Sequence, residues 1–230
     1  MLLKIITGLF CFEEKQVLPI VKAAEQAAAS YVDIAAHAPL VHAVKTHSQI
    51  PVCVSGLNFQ SMYESIKAGA DMLEIGNYDA LYAAGQTWSS ESIVSLAVKL
   101  KQRMPERILT VTIPYVLDVQ KQMKLVAQLE AIGVDMFQTE GGGRSRRSTS
   151  ESILSKIESA TVSLAHAYQL SRMTSKPVLC ASGITAVTAP MAIAAGASGV
   201  GVGKAVSRET NPYEVIKQIQ CALQKDIKPI

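Results

Sequence analysis

Three carboxylates stand in apolar, strand-like runs: Asp33 in YVDIAA, Glu74 in MLEIGN and Glu140 in MFQTEGG. Burying an ionised carboxylate without a partner costs several kcal/mol, so its place there needs a reason. General acid or base chemistry is one reason, with Lys4 of KIITGL as a polarising cation or an amine. A buried Lys–carboxylate network that holds strand register is the other; Lys4 at the amino-terminal rim, in solvent, is a third placement. Glu140 precedes the glycines of 141–143, which free the backbone for a ligand, and Gln138 precedes Glu140 as a neutral donor and acceptor. Asn77, Asp79 and Thr112 are lesser candidates for the same space.

A second pattern is GASGVGVGKAVSR, residues 196–208. It is not a P-loop, because Ser198 stands where the first glycine belongs and Ala205 where a magnesium-holding hydroxyl belongs. Nor is it the dinucleotide fingerprint, whose third glycine is replaced by Lys204. Glycines let a backbone approach an anion, and N–H groups at a helix start point toward it. With ASGIT at 181–185, this stretch predicts a phosphate cradle of Gly183, Ile184, Gly203 and Lys204 amides, with the Ser182 hydroxyl. The alternative is that Gly201 and Gly203 make room for interior packing.

These residues need elements to hold them. Strand-like runs KIITGL (4–9), YVDIAA (31–36), PVCVSG (51–56), MLEIGN (72–77), ILTVTIP (108–114), MFQTEGG (136–142), PVLCASG (177–183) and GVGVGKAV (199–206) alternate with helical segments. The first helix is expected over 13–29 and the last over 211–226. Eight such units predict a single-domain (β/α)8 TIM barrel over 1–230, with parallel strands and outer helices. An open doubly wound sheet is the alternative. Insertions at 79–92 and 142–152 fall on the carboxyl-terminal side, where barrels carry their sites.

An internal repeat sharpens the expectation. AASYVD (28–33), GADMLE (69–74), GVDMFQ (133–138) and GASGVG (196–201) align without gaps, each opening on a small residue where a helix must turn. They feed the even strands, so Asp33, Glu74, Gln138 and Gly201 should share one interior layer. Ala35, Gly76, Glu140 and Gly203 should form the layer above, nearer the mouth.

Composition narrows the class. Hydrophobic residues make up 49%, yet no apolar run is long enough for a bilayer, and Met1 to Phe12 lacks the basic start of a signal peptide. The net charge of +3 is spread along the chain, which indicates no nucleic-acid surface. The four cysteines form no CxxC pair, so reduced thiols are expected rather than disulfides or zinc. His42, His47 and His166 lie in helical stretches without metal spacing, and no metal is expected, the alternative being a magnesium held by substrate phosphate with Asp33 or Glu74. His37 is either a proton shuttle or incidental, and RSRR (144–147) either closes over an anion or is a solvated loop.

Residues 177–206 resemble the phosphate-binding TIM barrels, among them indole-glycerol-phosphate synthase, phosphoribosylanthranilate isomerase and thiamine-phosphate synthase. KIITGL, YVDIAA, PVCVSG, EIGNYDALYAAG, QTEGG and the long run from PVLCASG to GVGKAV together resemble the hypothetical chloroplast reading frame 23 family, nearly end to end. That likeness implies a barrel fold and a plastid stroma or cyanobacterial-type cytoplasm. The leading functional expectation is an enzyme of lyase, isomerase or synthase type on a small phosphorylated metabolite. SGI and VGVGK also resemble FMN-dependent oxidoreductases, so FMN is an alternative occupant of the cradle. A non-catalytic anion-binding or regulatory barrel is the third reading. The partners expected are a small phosphorylated ligand and, as an option, further copies in a homo-oligomer, with neither nucleic acid nor membrane.

Overall fold

Parallel strands cannot be joined by tight hairpins, so each crossover here carries a helix and the sheet closes on itself. The computed structural model describes residues 1–76, 78, 85, 87–141 and 152–224. Its strands are β1 (Leu2–Ile6), β2 (Tyr31–Ala35), β3 (Val52–Gly56), β4 (Met72–Ile75), β5 (Ile108–Thr112), β6 (Met136–Gln138), β7 (Val178–Ala181) and β8 (Gly199–Val202). They form a closed all-parallel barrel in sequence order, with β1 pairing β8. The described helices are α1 (Glu14–Gln26), α2 (Ala38–His47), α3 (Phe59–Lys67), α4 (Ser90–Arg103), α5 (Val119–Ile132), α6 (Ile153–Leu170), α7 (Ala189–Ala194), α8 (Lys204–Ser207) and α9 (Pro212–Gln224). None of the described helices is long and apolar enough to cross a membrane.

Most strands end earlier than the sequence pattern, β6 at Gln138 and β8 at Val202 where a helix begins at Lys204, and two more boundaries differ for backbone reasons. The first strand starts at Leu2 and stops at Ile6, because Leu2 pairs with Gly199 and the left-handed Gly8 (φ +118°) breaks the run. The first helix spans Glu14–Gln26, shorter than 13–29, because the chain turns at Ala28.

The repeat has a backbone cause. Its four opening residues, Ala28 (φ 56°), Gly69 (φ 113°), Gly133 (φ 91°) and Gly196 (φ 100°), all adopt the left-handed conformation that ends a helix. Two residues later, Ser30 Oγ accepts the Leu3 N–H (2.9 Å), Asp71 Oδ2 the Val52 N–H (2.7 Å) and Asp135 Oδ2 the Leu109 N–H (2.8 Å). Each such side chain ties the start of an even strand to the strand before it. Ala28 is the position that pays a steric penalty for this turn. Ala28→Gly should therefore raise stability by about 0.5–1 kcal/mol, read as a higher urea midpoint at unchanged slope.

Inside the barrel, Tyr31, Cys53 and Leu179 pack together, with Leu2 and Met72 against them, as an apolar floor near the amino-terminal ends of the strands. Outside it, Val32, Ile34, Val54, Leu73, Val111 and Phe137 pack into the main core shared with the helices. Alternation along each strand sends one set inward and the other toward the helices. Above the floor, Lys4, Asp33, Ser55, Glu74, Thr112 and Gln138 are buried polar residues of β1 to β6.

Candidate active site

Lys4 Nζ lies above that floor, and the rim placement does not hold: the residue is 0% exposed. The ammonium donates to Glu74 Oε2 (2.5 Å) and stands 3.1 Å from Asp33 Oδ2. Ser55 Oγ donates to Asp33 Oδ1 (2.6 Å). On the far side, Glu74 Oε1 accepts from Gln138 Nε2 (2.8 Å) and Thr112 Oγ1 (3.3 Å). The inner residues of β1, β2, β3, β4, β5 and β6 are thus joined in one buried polar cluster. Gly76 allows part of it, since a Cβ there would overlap Thr112 Oγ1 and stand 2.9 Å from Glu74 Oε1.

Electrostatics in this cluster follow from charge and burial. Burial by itself would lower the Lys4 pKa, but Asp33 and then Glu74 outweigh it and hold the ammonium well above its usual range. Burial pushes Glu74 up; Lys4 opposes this and the Asp33 charge adds to it, leaving Glu74 at about 7. One cation thus serves two buried carboxylates. Cys53, beside the cluster, is raised by burial and by Asp33, so it stays a thiol.

Glu140 is 4% exposed and stands two residues past the end of β6. Its Oε2 accepts the Tyr115 N–H (3.3 Å), and its own N–H is donated to His166 Nδ1 (3.4 Å). His166 must then carry its proton on Nε2, which lies 3.1 Å from Gln122 Oε1. Gln122 Nε2 donates in turn to the carbonyls of Leu117 (2.9 Å) and Pro114 (3.4 Å). Burial holds His166 down at about 4, slightly opposed by the Glu140 backbone bond. This clamp was not foreseen. Its signal is helical phase: His166 lies between Ser163 and Ala167 on the buried stripe of α6, and Gln122 precedes Leu125 and Val126 on that of α5.

Ala181 is opposite Gly201, so the turns leaving β7 and β8 run side by side. Several glycines here answer to packing. A Cβ at Gly183 (φ +76°) would overlap the Ser159 carbonyl of α6, and one at Gly199 the Leu2 carbonyl. A Cβ at Gly201 would be crowded by Ala181 Cβ (3.0 Å) and Ile6 Cδ1 (3.1 Å). Gly203, at the N-cap of α8, differs: φ is −116° and the nearest atom to its Cβ position, the Ile6 carbonyl oxygen, is 3.4 Å away. Ser182 is itself left-handed (φ 78°), with its carbonyl held by Ser163 Oγ (2.7 Å). Ile184 is buried and Lys204 exposed. The Thr185 N–H is already taken by Thr188 Oγ1 (2.9 Å) and lies outside any cradle.

Asn77, Asp79 and the run 144–147 lie outside the described residues. His37 is exposed and packs edge-on against Phe12, away from the cluster. No group of three metal-ligating side chains occurs among the described residues. A cavity of about 470 Å³ opens elsewhere, between the start of α3 and α4, and is lined by Phe59, Trp88, Leu96 and Lys99 among others; it contains none of the groups above.

Comparison with solved structures gives the same fold. 3-hexulose-6-phosphate synthase from Salmonella typhimurium aligns with a TM-score of 0.70 at 16% identity, covering 97% of this chain and 98% of that one. (S)-3-O-geranylgeranylglyceryl phosphate synthase from Thermoplasma acidophilum aligns with a TM-score of 0.65 at 15% identity, covering 96% and 92%. At sequence level, the uncharacterized protein ycf23 of Cyanidium caldarium is 41% identical over 212 residues, 92% of this chain and 84% of that protein. Its counterpart in Cyanophora paradoxa is 38% identical over 216 residues, 94% and 88%. Residues 1–228 match the family described as protein of unknown function (DUF561). The chain therefore belongs to the DUF561 family, with the ycf23 proteins as its relatives.

Proposed function

We propose that this barrel is an enzyme acting on a small phosphorylated metabolite by general acid–base chemistry. The phosphate binds at the paired turns after β7 and β8, through amides of Gly183, Ile184, Gly203 and Lys204 and the Ser182 hydroxyl. Gly203 carries the reading. It caps α8 two residues past Gly201, its φ is −116°, and the nearest atom would lie 3.4 Å from an added Cβ, so its backbone stays open. A bare backbone at that turn fits close approach of an anion. Fold neighbours whose names carry phosphate compounds, one of them in complex with sn-glycerol-1-phosphate, support the same ligand class.

The residues divide the work by protonation. Glu74, at about 7, exchanges a proton with the ligand near neutral pH. Lys4 remains an ammonium, so it acts as a fixed positive charge beside developing negative charge and not as a nucleophilic amine. Asp33, held by Lys4 and Ser55, keeps that ammonium in place. Glu140, clamped by Tyr115 and His166, is a second acid or base nearer the mouth. On this reading the activity belongs in a plastid stroma or a cyanobacterial-type cytoplasm, which the algal relatives support.

Thermal melts with inorganic phosphate, a panel of phosphate monoesters and FMN test it. A monoester at ~100 times its Kd should stabilise by about 2.7 kcal/mol, roughly 5–10 °C for a chain of this size. Gly203→Val should abolish the shift, measured against the variant's own unliganded melt. A shift given by FMN alone, with a flavin spectrum, would move the reading to a flavin barrel. Indifference to every one of these compounds would remove it.

A further inference from the structure

The Gln138 carboxamide has a forced orientation. Its Nε2 donates to Glu74 Oε1 (2.8 Å) and to Thr112 Oγ1 (3.1 Å). Exchanging the two amide atoms would set oxygen against the Glu74 carboxylate, so Oε1 must face the other way. There it has no hydrogen-bond partner among the described residues, although Gln138 is only 3% exposed. A buried acceptor left unsatisfied costs about 1–3 kcal/mol. The bond from Nε2 to Glu74 accounts for the donor end of the carboxamide and leaves its acceptor end without a role.

What Oε1 faces is informative. It lies 3.4 Å from the Cβ position of Gly201, a point also approached by Ala181 Cβ and Ile6 Cδ1. Two of these three residues have little or no side chain. The third, Ile6, is half-buried at the end of β1, and its terminal methyl is the group standing over Gly201. Isoleucine side chains change rotamer on the picosecond-to-nanosecond scale when partly exposed, so this cover can move aside.

We propose that Gln138 Oε1 accepts a hydrogen bond from a hydroxyl group of the ligand, which enters over Gly201 as the Ile6 side chain turns away. This rests on the reading that phosphate binds after β7 and β8. Gly203 follows two residues later, just past the end of β8, roughly 6.6 Å away at strand spacing. The ligand is therefore a phosphate monoester of a short polyol, with a hydroxyl two or three carbons from the ester oxygen. An ammonium in that place is disfavoured by Lys4, which already supplies the cluster's cation. A site with a buried acceptor rejects an analogue that lacks the matching donor, because the acceptor is then left unpaired.

Isothermal titration of inorganic phosphate, racemic glycerol phosphate and propyl phosphate tests the assignment on the wild type, Gln138→Leu and Ile6→Ala. In the wild type, glycerol phosphate should bind at least ~10-fold more tightly than propyl phosphate, the loss of one hydrogen bond to a buried group. Gln138→Leu should bring the two esters level and leave inorganic phosphate unaffected. Ile6→Ala should widen the preference; it also decides the matter if Gln138→Leu does not fold, and an unchanged or reversed preference counts against the proposal. Equal wild-type affinity for the two esters overturns it and leaves the phosphate site standing, with a buried water as the partner of Oε1. Failure of all three compounds to bind overturns the phosphate reading, and this proposal with it.

Discussion

Lys4→Met will destabilise the protein by about 3–5 kcal/mol, a fall in Tm of roughly 6–20 °C for a chain of this size. Methionine fills much of the same space, so the loss is electrostatic. Asp33 and Glu74 are 1% and 0% exposed and share Lys4 as their cation. Without it, two carboxylates face each other in a medium that solvates neither, and at least one must take up a proton. Adding Glu74→Gln removes one of the two charges and should recover part of the loss, which a double-mutant cycle measures as coupling between positions 4 and 74. The cycle also separates the two explanations of the cluster. A register-holding network predicts that restored stability restores everything. The acid–base reading predicts a stable double variant that still binds phosphate esters and performs no reaction on them. A Lys4→Met protein as stable as the wild type would remove the ion cluster from both explanations.

Glu74→Gln alone will reshape the dependence of stability on pH. Glu74 is raised in the folded state to about 7. Its contribution is therefore fully present below its unfolded value, about 4.5, and is lost as pH rises through about 7. His166 works in the opposite sense. Burial lowers it to about 4, so its contribution is present above about 6.5 and is lost as pH falls toward 4. Each slope amounts to at most ~3 kcal/mol, and the two oppose each other between about pH 4.5 and 6.5. Glu74→Gln leaves the His166 slope uncompensated, and Tm should drop more steeply on acidification than in the wild type. His166→Gln leaves the Glu74 slope, and Tm should drop less than in the wild type or rise. Parallel Tm–pH curves for all three proteins would mean that neither group titrates in that window.

The barrel was legible because its signals are local. Alternation of period two and period 3.6 within short windows separates strand from helix, and eight alternations admit few closed architectures. The repeat opening at residues 28, 69, 133 and 196 was readable because a left-handed turn selects small residues wherever it occurs. Asp33 and Glu74 stood out because an ionisable group in an apolar strand is costly. The start of β1 was less legible, since no turn signal precedes Leu2 and Leu3 and their strand character comes from pairing with Gly199 and Val200.

The sequence by itself thus determined the chain of elements, the layer that carries the carboxylates and the glycine-rich ends of β7 and β8. Only the tertiary structure decided that Lys4 reaches Glu74, seventy residues away, and that His166 holds the backbone of Glu140. It also decided what each glycine is for: Gly183 yields to a helix carbonyl, Gly199 to the first strand, and Gly203 to neither. Propensity and periodicity depend on neighbours a few residues apart, which a sequence displays directly. Which polar atoms meet, and which acceptor is left facing a bare glycine, depends on how eight strands close around one axis.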